Sequence, residues 1–549
     1  MSHRLNFIFR MLKKIPLSSV AGAAVLLVSA VCAAKSPQPN ILFIFSDDHA
    51  LRTISAYAGE DGVNQTPNID RLANEGAIFT RSFCGNSICQ PSRAAILTGK
   101  HSHKNGVMTN GSKWNPKQPI FTRMLRDAGY QTAMIGKWHM HPYPSDEFDY
   151  HKTLTGHGGQ GRYYNPEFVT VDGQTVMEEG YSTDIITSES IEWMEQRERT
   201  KPFMLMCQFK SPHTNVMPPL RNLELYADED IPVPASFHND NRSRSDYLSR
   251  TYMSMKGMTY ERADQDVIKV GPSQGTYALP KDPKKAMALA RKGQFPRFYT
   301  YMTAEQLDAW HAHYDPLNEE YARRLAKGEV PAREQSEFGY QRYMKDYLRC
   351  VAAIDQNVGR LLEYLEESGL AENTVVIYSS DQGFFLGENG WTDKRLADDV
   401  TMQMPFLIRW PGVLQPGQRI DAMIQNIDYG PTFLEMAGLE VPDAMDGESL
   451  LPILKTGQAP EDWRDSVYYH YYHNNAYNLP KIEAVRNDRY KLIRYYDHKT
   501  LDFGEQWDLF DLEKDPDEQQ SVYTNPEYKS VIRQMKQKLM ELRTQYDVD

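Results

Sequence analysis

Cysteine is scarce in this chain: five in 549 residues (Cys32, Cys84, Cys89, Cys207 and Cys350), with no CxxC pair. That excludes a disulfide scaffold and a paired-thiolate zinc motif, so each cysteine is read by its neighbours. A Gly-rich phosphate loop is also missing. No stretch supplies the roughly 20 apolar residues that a membrane span needs. Positive charge is in deficit, with 61 Lys and Arg against 73 Asp and Glu. The first 33 residues carry four bases (Arg4, Arg10, Lys13, Lys14) and no acid, so the remainder holds 57 bases against 73 acids, a net −16. Such a chain has no broad attraction for nucleic acid or an anionic membrane, and an anionic substrate would need a local basic pocket. Aromatics, by contrast, are plentiful: 33 Tyr, 21 Phe and 8 Trp exclude a solvated, disordered chain.

The basic stretch Arg4–Lys14, the apolar run Val20–Val31 and the small residues Ala30, Ala33 and Ala34 read as a secretory signal over residues 1–34. The expected location is therefore periplasmic or secreted, with no transmembrane segment. Cys32 admits a lipoprotein reading, which Val31 disfavours because a small residue is usual there.

Four apolar runs end in polar residues: Ile41–Phe45 into Ser46-Asp47-Asp48-His49, Ala133–Ile135 into Gly136-Lys137-Trp138-His139, Phe203–Phe209 into Lys210-Ser211-Pro212-His213, and Val375–Tyr378 into Ser379-Ser380-Asp381-Gln382-Gly383. Runs of this kind suit strands buried on both faces. Thr66-Pro67 opens a helix with Ile69 and Leu72 inward, and Tyr343, Tyr347, Val351, Ile354, Val358, Leu361, Leu362 and Leu365 mark a long amphipathic helix stopped near Gly369. Alternating strands and helices predict an α/β fold with a mostly parallel, doubly wound sheet. The four polar endings should then meet in one cleft at the carboxyl ends of the strands. Residues 35–455 are expected to form the catalytic domain, with a polar insertion at 221–337 packed at the rim. A smaller C-terminal α+β subdomain, 456–549, would hold strands Val467–Tyr472 and Tyr490–Tyr496 and a closing helix through Val531, Ile532, Met535, Leu539 and Leu542.

The most specific pattern is Cys89-Gln90-Pro91-Ser92-Arg93-Ala94-Ala95-Ile96-Leu97-Thr98-Gly99. Pro91 suits a first helical turn, which puts Cys89 at the positive end of that helix, where a thiolate or bound oxyanion is favoured. An isolated cysteine there would be a partly buried cap. Asp47-Asp48 and Asp381-Gln382 supply three carboxylates and a carbonyl, hard oxygens that suit Ca²⁺ or Mg²⁺ rather than zinc. Read alone, each pair suits a cap of the next helix as well as a ligand, and each Lys or His is more often a solvated or satisfied polar group.

Cys89 to Gly99 resembles, position for position, the signature of type I sulfatases of the alkaline phosphatase superfamily. The resemblance implies that a maturation enzyme oxidises Cys89 to formylglycine, whose hydrate offers one hydroxyl as nucleophile and a second whose deprotonation expels sulfate. It implies a calcium site, with Mg²⁺ the alternative, made of Asp47, Asp48, residue 89, Asp381 and Gln382; the family more often has Asn at the last position. It further implies that Arg93 neutralises the nucleophile, Lys137 and Lys394 hold sulfate oxygens, His139 accepts the diol proton and His213 protonates the leaving alcohol. Lys100, His101 and His103 receive only a supporting or turn role. Cys84 is not expected to bridge to Cys89.

Asp381–Arg395 and Tyr340–Gly369 are similar to segments of bacterial glycan sulfatases of the N-acetylglucosamine-6-sulfatase kind. Tyr468, His470, Tyr472, His473 and Tyr477 suit a sugar ring, with about half of them expected to be packing, although His473–Tyr477 matches no sugar-binding pattern. The expected reaction is exo-acting removal of an O-sulfate from a sulfated carbohydrate, first a 6-O-sulfated hexosamine and next an algal polysaccharide. The competing readings are a phosphodiester or phosphonate monoester hydrolase of the same superfamily and a catalytically inactive glycan-binding homologue.

Overall fold

The computed structural model describes residues 38–59, 62–255, 260–263, 267–270 and 301–549. The expected signal, 1–34, and part of the 221–337 insertion lie outside the described residues. In chain order the strands are β1 (Asn40–Asp47), β2 (Ala77–Phe83), β3 (Gln131–Gly136), β4 (Tyr150–Leu154), β5 (Glu167–Thr170), β6 (Thr175–Met177), β7 (Phe203–Pro212), β8 (Tyr260–Ala263), β9 (Val267–Val270) and β10 (Thr374–Ser380). They continue as β11 (Phe385–Leu386), β12 (Thr392–Asp393), β13 (Phe406–Arg409), β14 (Gln418–Gln425), β15 (Ser466–Tyr471), β16 (Lys481–Asn487), β17 (Tyr490–Tyr496) and β18 (Gln506–Asp511). The main sheet runs β14-β2-β13-β10-β1-β7-β3-β4-β5-β6. Its central strands β10, β1, β7, β3 and β4 are mutually parallel, while β13, β5 and β6 run antiparallel to their neighbours.

Period-two geometry divides each central strand between two cores. In β1, Ile41, Phe43 and Phe45 enter one cluster and Leu42 and Ile44 the other. In β10, Val375 and Ile377 oppose Val376 and Tyr378 in the same way. Helices cover both faces, as the unbroken apolar runs require. Helices α1 (Pro67–Asn74), α3 (Ser182–Gln196) and α5 (Ala332–Glu367) pack on one side, and α2 (Cys89–Thr98) packs on the other. Thr66 occupies the cap position of α1, but its hydroxyl bonds Ser55 and Asp70. The amides of Asn68 and Ile69 are capped instead by Asp355 of α5, each at 2.9 Å. Helix α5 thus fixes the start of α1 from 286 residues away in the chain.

The described part of the insertion holds more regular structure than its polar sequence suggests. It contains α4 (Ala304–Ala326), and α5 begins inside it at Ala332. Trp310 and Tyr314 of α4 are buried beside Tyr340, Tyr343 and Tyr347 of α5, so this part belongs to a core rather than to the rim. The apolar positions Trp310, Tyr314 and Tyr321 are at helical spacing, but four to seven residues apart among charges they give a weak periodic signal.

At the C-terminus, β15-β16-β17-β18 form an antiparallel sheet, of which β16 and β18 were not apparent from sequence alternation. Helix α6 (Lys529–Gln545) packs on one face through Met535, Leu539 and Leu542. The other face, through Val467, Tyr469 and Tyr471, packs on Phe385 of β11, Trp391 just before β12 and Leu396 after it.

Gly136 ends β3 at φ 111°, and a Cβ there would sit 1.9 Å from the Gln208 carbonyl oxygen of β7. Gly136→Ala is therefore expected to destabilise the fold by about 3 kcal/mol, from backbone strain and overlap together. Denaturant unfolding checks this; an unchanged midpoint contradicts the close approach of β3 and β7.

Candidate active site

Parallel pairing of β1 with β10, with Ser46 opposite Ser380, brings Asp47-Asp48 beside Asp381-Gln382. Asp48 turns out of the strand in the left-handed region, φ 65°, and its amide donates to Asp381 Oδ1 at 3.1 Å. Tyr347 of α5 clamps the turn: its hydroxyl donates to the Asp48 carbonyl at 2.5 Å and accepts from the Ala50 amide at 2.9 Å. One oxygen from each of Asp47, Asp48 and Asp381 falls within 4.8 Å of the others, and all three side chains are fully buried.

Buried cations face them. Lys137 at the end of β3 pairs with Asp47, Lys394 Nζ lies 2.5 and 2.6 Å from the Asp48 oxygens, and Arg93 of α2 lies 3.1 Å from Asp381 Oδ2. Lys394 is presented between Asp393 and Arg395, both in the left-handed region at φ 78° and 90°. Burial works against Asp47, yet Lys137, His213, Arg93 and Lys394 hold its carboxyl well below the usual range. Burial and the neighbouring Asp47 raise Asp381 to about 7, and burial raises Asp48 despite Lys394. Gln382 donates its amide to Asp48, while its buried Oε1 has no hydrogen-bond partner among the described residues. Three converging carboxylates and an orphaned amide oxygen form the donor set of a hard divalent cation, and these residues fit one.

Cys89 is the first residue of α2, a helix buried along its length and ended by Gly99 at φ 63°. Its Sγ lies 3.4 Å from Asp47 Oδ1 and 3.8 Å from Gln382 Nε2. Burial and the charge of Asp47 push the unmodified thiol up to about 12, so it stays protonated and a weak nucleophile at neutral pH. Cys84 is a free thiol 3.2 Å from Ser87 Oγ, not a partner of Cys89.

His139 and His213 complete the expected set. Burial and Lys137 hold His139 well below its usual range. His213 Nε2 stands 3.6 Å from Asp48 Oδ2, and its Nδ1 donates to the Thr214 carbonyl at 2.5 Å. Cys89, Arg93, Lys137, His139, His213, Lys394, Asp47, Asp48, Asp381 and Gln382 are thus gathered at the carboxyl ends of β1, β3, β7 and β10, the N-terminus of α2 and the turn after β12.

Two further groups had no role assigned from the sequence: Gln160, and Lys210 of the third polar strand ending. Gln160 bridges two expected residues, accepting from Lys137 Nζ at 2.5 Å and donating to His139 Nε2 at 2.9 Å. Its only sequence signal is the run Gly158-Gly159-Gln160-Gly161, whose glycines all take positive φ. Lys210, at the end of β7, is buried; desolvation and repulsion by Lys137 lower it to about 7.

The aromatic cluster needs a correction. Alternation along β15 sends Tyr469 and Tyr471 toward the cleft: Tyr469 donates to the Arg395 carbonyl at 2.6 Å, and Arg395 stacks on Tyr477 with its Cζ 3.8 Å from the ring centroid. Tyr468, His470 and Tyr472 take the opposite side. Tyr468 donates to buried Glu483 at 2.7 Å, His470 meets the Tyr496 hydroxyl at 2.7 Å, and Tyr472 stacks on His470 at 3.7 Å. His101 packs on Tyr468 and Tyr546, and His103 bonds the Tyr546 carbonyl at 2.7 Å, so both anchor the end of α6. Lys100 lies in the turn, its amide 3.3 Å from Thr98 Oγ1.

A buried cluster of carboxylates and cations at the ends of parallel strands, with a nucleophile position on a helix N-terminus, defines a hydrolase of anionic esters. Residues 39–439 match the sulfatase family, and residues 387–545 match the C-terminal region of N-sulphoglucosamine sulphohydrolase. The chain belongs to the sulfatase family, within the alkaline phosphatase superfamily, and is a sulfuric ester hydrolase. It is 38% identical over 514 residues to an N-acetylglucosamine-6-O-sulfatase of Bacteroides thetaiotaomicron, covering 93% of this chain and 87% of that protein. Among solved structures, BT4656 in complex with its substrate D-glucosamine-2-N,6-O-disulfate superposes with a TM-score of 0.85 at 38% identity, over 93% of this chain and 99% of that one. The phosphonate monoester hydrolase of Agrobacterium radiobacter shares the fold, with a TM-score of 0.62 at 21% identity over 92% and 96%.

Since a hydrogen bond to a charged group contributes about 1.5–3 kcal/mol, Gln160→Ala is expected to lower kcat/KM by about ten-fold or more. The melting temperature should stay near that of the parent. Steady-state sulfate release reads the effect, and an unchanged kcat/KM shows that Lys137 and His139 hold their positions without it.

Proposed function

We propose that this enzyme removes an O-sulfate from the end of a sulfated glycan, with a 6-O-sulfated hexosamine as the substrate and formylglycine, made from Cys89, at the nucleophile position. The observation that carries the proposal is the seat of residue 89: a helix N-terminus, buried against Asp47 and Gln382, with Lys137, Lys394 and His213 around the same space. The sugar rests on the likeness to the Bacteroides N-acetylglucosamine-6-O-sulfatase and to BT4656 with its glucosamine disulfate.

Asp47, Asp48, Asp381, Gln382 and residue 89 hold one divalent cation, Ca²⁺ in this reading. When bound, the cation neutralises the carboxylates and polarises the nucleophile's oxygen. Arg93, fixed by Asp381, Gln208 and the Lys137 carbonyl, keeps the pocket positive beneath residue 89. Lys137 and Lys394 orient the sulfate oxygens and stabilise the charge that grows there during S–O cleavage. With Nδ1–H given to the Thr214 carbonyl, His213 delivers a proton from Nε2 to the leaving sugar oxygen as the imidazolium, a form that burial disfavours and the charge of Asp47 favours. His139, held by Gln160, takes a proton from residue 89 as sulfate departs. Tyr477, exposed and with Arg395 against its ring, borders the cleft where a sugar ring would lie. The N-terminal signal reading supports export to the periplasm or beyond, and a formylglycine-generating enzyme is the required maturation partner.

Mass spectrometry of the peptide spanning Arg81 to Arg93 is expected to find the aldehyde or its hydrate at position 89; active enzyme carrying only the thiol removes the mechanism. Cys89→Ala is expected to abolish turnover while the fold persists. Chelation should lower both activity and melting temperature, because three buried carboxylates then repel one another; both should return with Ca²⁺. Full activity in metal-free enzyme overturns the cation site. A panel of sulfated mono- and oligosaccharides, assayed with phosphate diesters and phosphonate monoesters, tests the substrate. Release from the phosphorus esters alone overturns the reaction class, and release from galactose sulfates alone overturns only the sugar.

A further inference from the structure

Lys210 is the buried cation of the site that the scheme above leaves without a task. It is 1% exposed, and unlike Lys137 and Lys394 it makes no ion pair among the described residues. A lysine buried without a carboxylate partner is costly, so its position needs a reason. Its contacts supply one. Nζ lies 3.4 Å from the Thr214 carbonyl oxygen and 5.0 Å from the centroid of the Tyr163 ring. The same carbonyl accepts His213 Nδ1–H at 2.5 Å, and the Tyr163 hydroxyl donates to the His213 carbonyl at 2.5 Å. Tyr163 and Lys210 therefore form a closed clamp. The ring carries the lysine, the lysine holds the oxygen that orients the imidazole, and the hydroxyl holds the backbone from which the imidazole hangs.

We propose that Lys210, seated on Tyr163, is a positioning residue that fixes His213 through the Thr214 carbonyl, so that Nε2 stays aimed at the oxygen leaving with the sugar. The clamp leaves Nε2 as the ring atom facing the site, 3.6 Å from Asp48 Oδ2, in a cluster with Asp47 and Cys89. A proton donor a fraction of an ångström out of place loses much of its effect on the rate, whereas binding of the sulfate by Lys137 and Lys394 is untouched. The role is in turnover rather than in affinity. This inference rests on His213 as the proton donor in the reading above.

A double-mutant cycle on the formylglycine-bearing enzyme tests it, with 6-O-sulfated hexosamine as substrate and released sulfate as the readout. Lys210→Met is expected to lower kcat by about ten-fold or more, with KM within about two-fold of the parent. Combined with His213→Ala, it should add little to the loss that His213→Ala causes alone, because both remove one function. Lys210→Arg should recover part of the rate. Tyr163→Phe, which keeps the ring and deletes the hydroxyl, should show the same non-additivity with His213→Ala, and it stands in if Lys210→Met fails to fold. Losses that multiply independently, or a loss confined to KM, overturn the clamp and leave His213 as the donor. A His213→Ala enzyme with undiminished kcat overturns both the donor assignment and the clamp.

Discussion

Everything in the cleft depends on crowding three carboxylates into a space from which water is excluded. Asp47, Asp48 and Asp381 are fully buried with oxygens inside 4.8 Å, an arrangement that repels itself unless positive charge is brought to it. The protein brings Lys137, Lys394 and Arg93 from three separate segments, each in direct contact with one of the acids. The compensation is uneven: Asp47 is held low, while Asp381 is raised to about 7. Burial above all raises Asp381, next to a Gln382 amide oxygen with no hydrogen-bond partner among the described residues, a donor set that suits a hard cation.

Holding that much buried charge in register requires a stiff frame. Five parallel strands, packed on both faces, fix where their carboxyl ends lie, and the departures from regular backbone occur where the chemistry is. Asp48, His139, Asp393 and Arg395 all take positive φ although none is glycine. Their turns are pinned from far away in sequence, Asp48 by Tyr347 and the α2 segment by Ser92 bonding the Asp381 carbonyl. The C-terminal sheet closes the arrangement: Tyr469 holds the Arg395 carbonyl, so Lys394 is oriented by a strand some seventy residues later. That coupling links the smaller sheet to the cleft as part of its wall.

Much of this was legible in the chain. Apolar runs ending in Asp-Asp, Lys-x-His, Lys-Ser-Pro-His and Asp-Gln marked buried strands and their functional ends, because a strand covered on both faces can place polar groups only where it leaves the sheet. The run from Cys89 to Gly99 marked a helix whose first residue faces the cleft, since Pro91 and Gly99 fix where that helix starts and stops. The insertion was less legible. Trp310 and Tyr314 are core residues scattered among charges, and their burial is set by α5 rather than by any pattern of their own.

The sequence by itself determined the fold class through strand endings and helix starts, while the resemblance of its short motifs to the sulfatase signature supplied the expected nucleophile position and the ten expected site residues. The tertiary structure alone decided which groups touch. Gln160 joins the site by bridging Lys137 and His139, more than twenty residues away, and Lys210, although it stands in an expected strand ending, meets the ring of the distant Tyr163; no local pattern records such contacts. The same holds for β15, where residues of one aromatic run divide between the cleft and the buried Glu483 network. Alternation fixes that they divide; only the packing of α6 on one face decides which half turns toward β11 and β12, since a strand's two sides are chemically equivalent until something covers one of them.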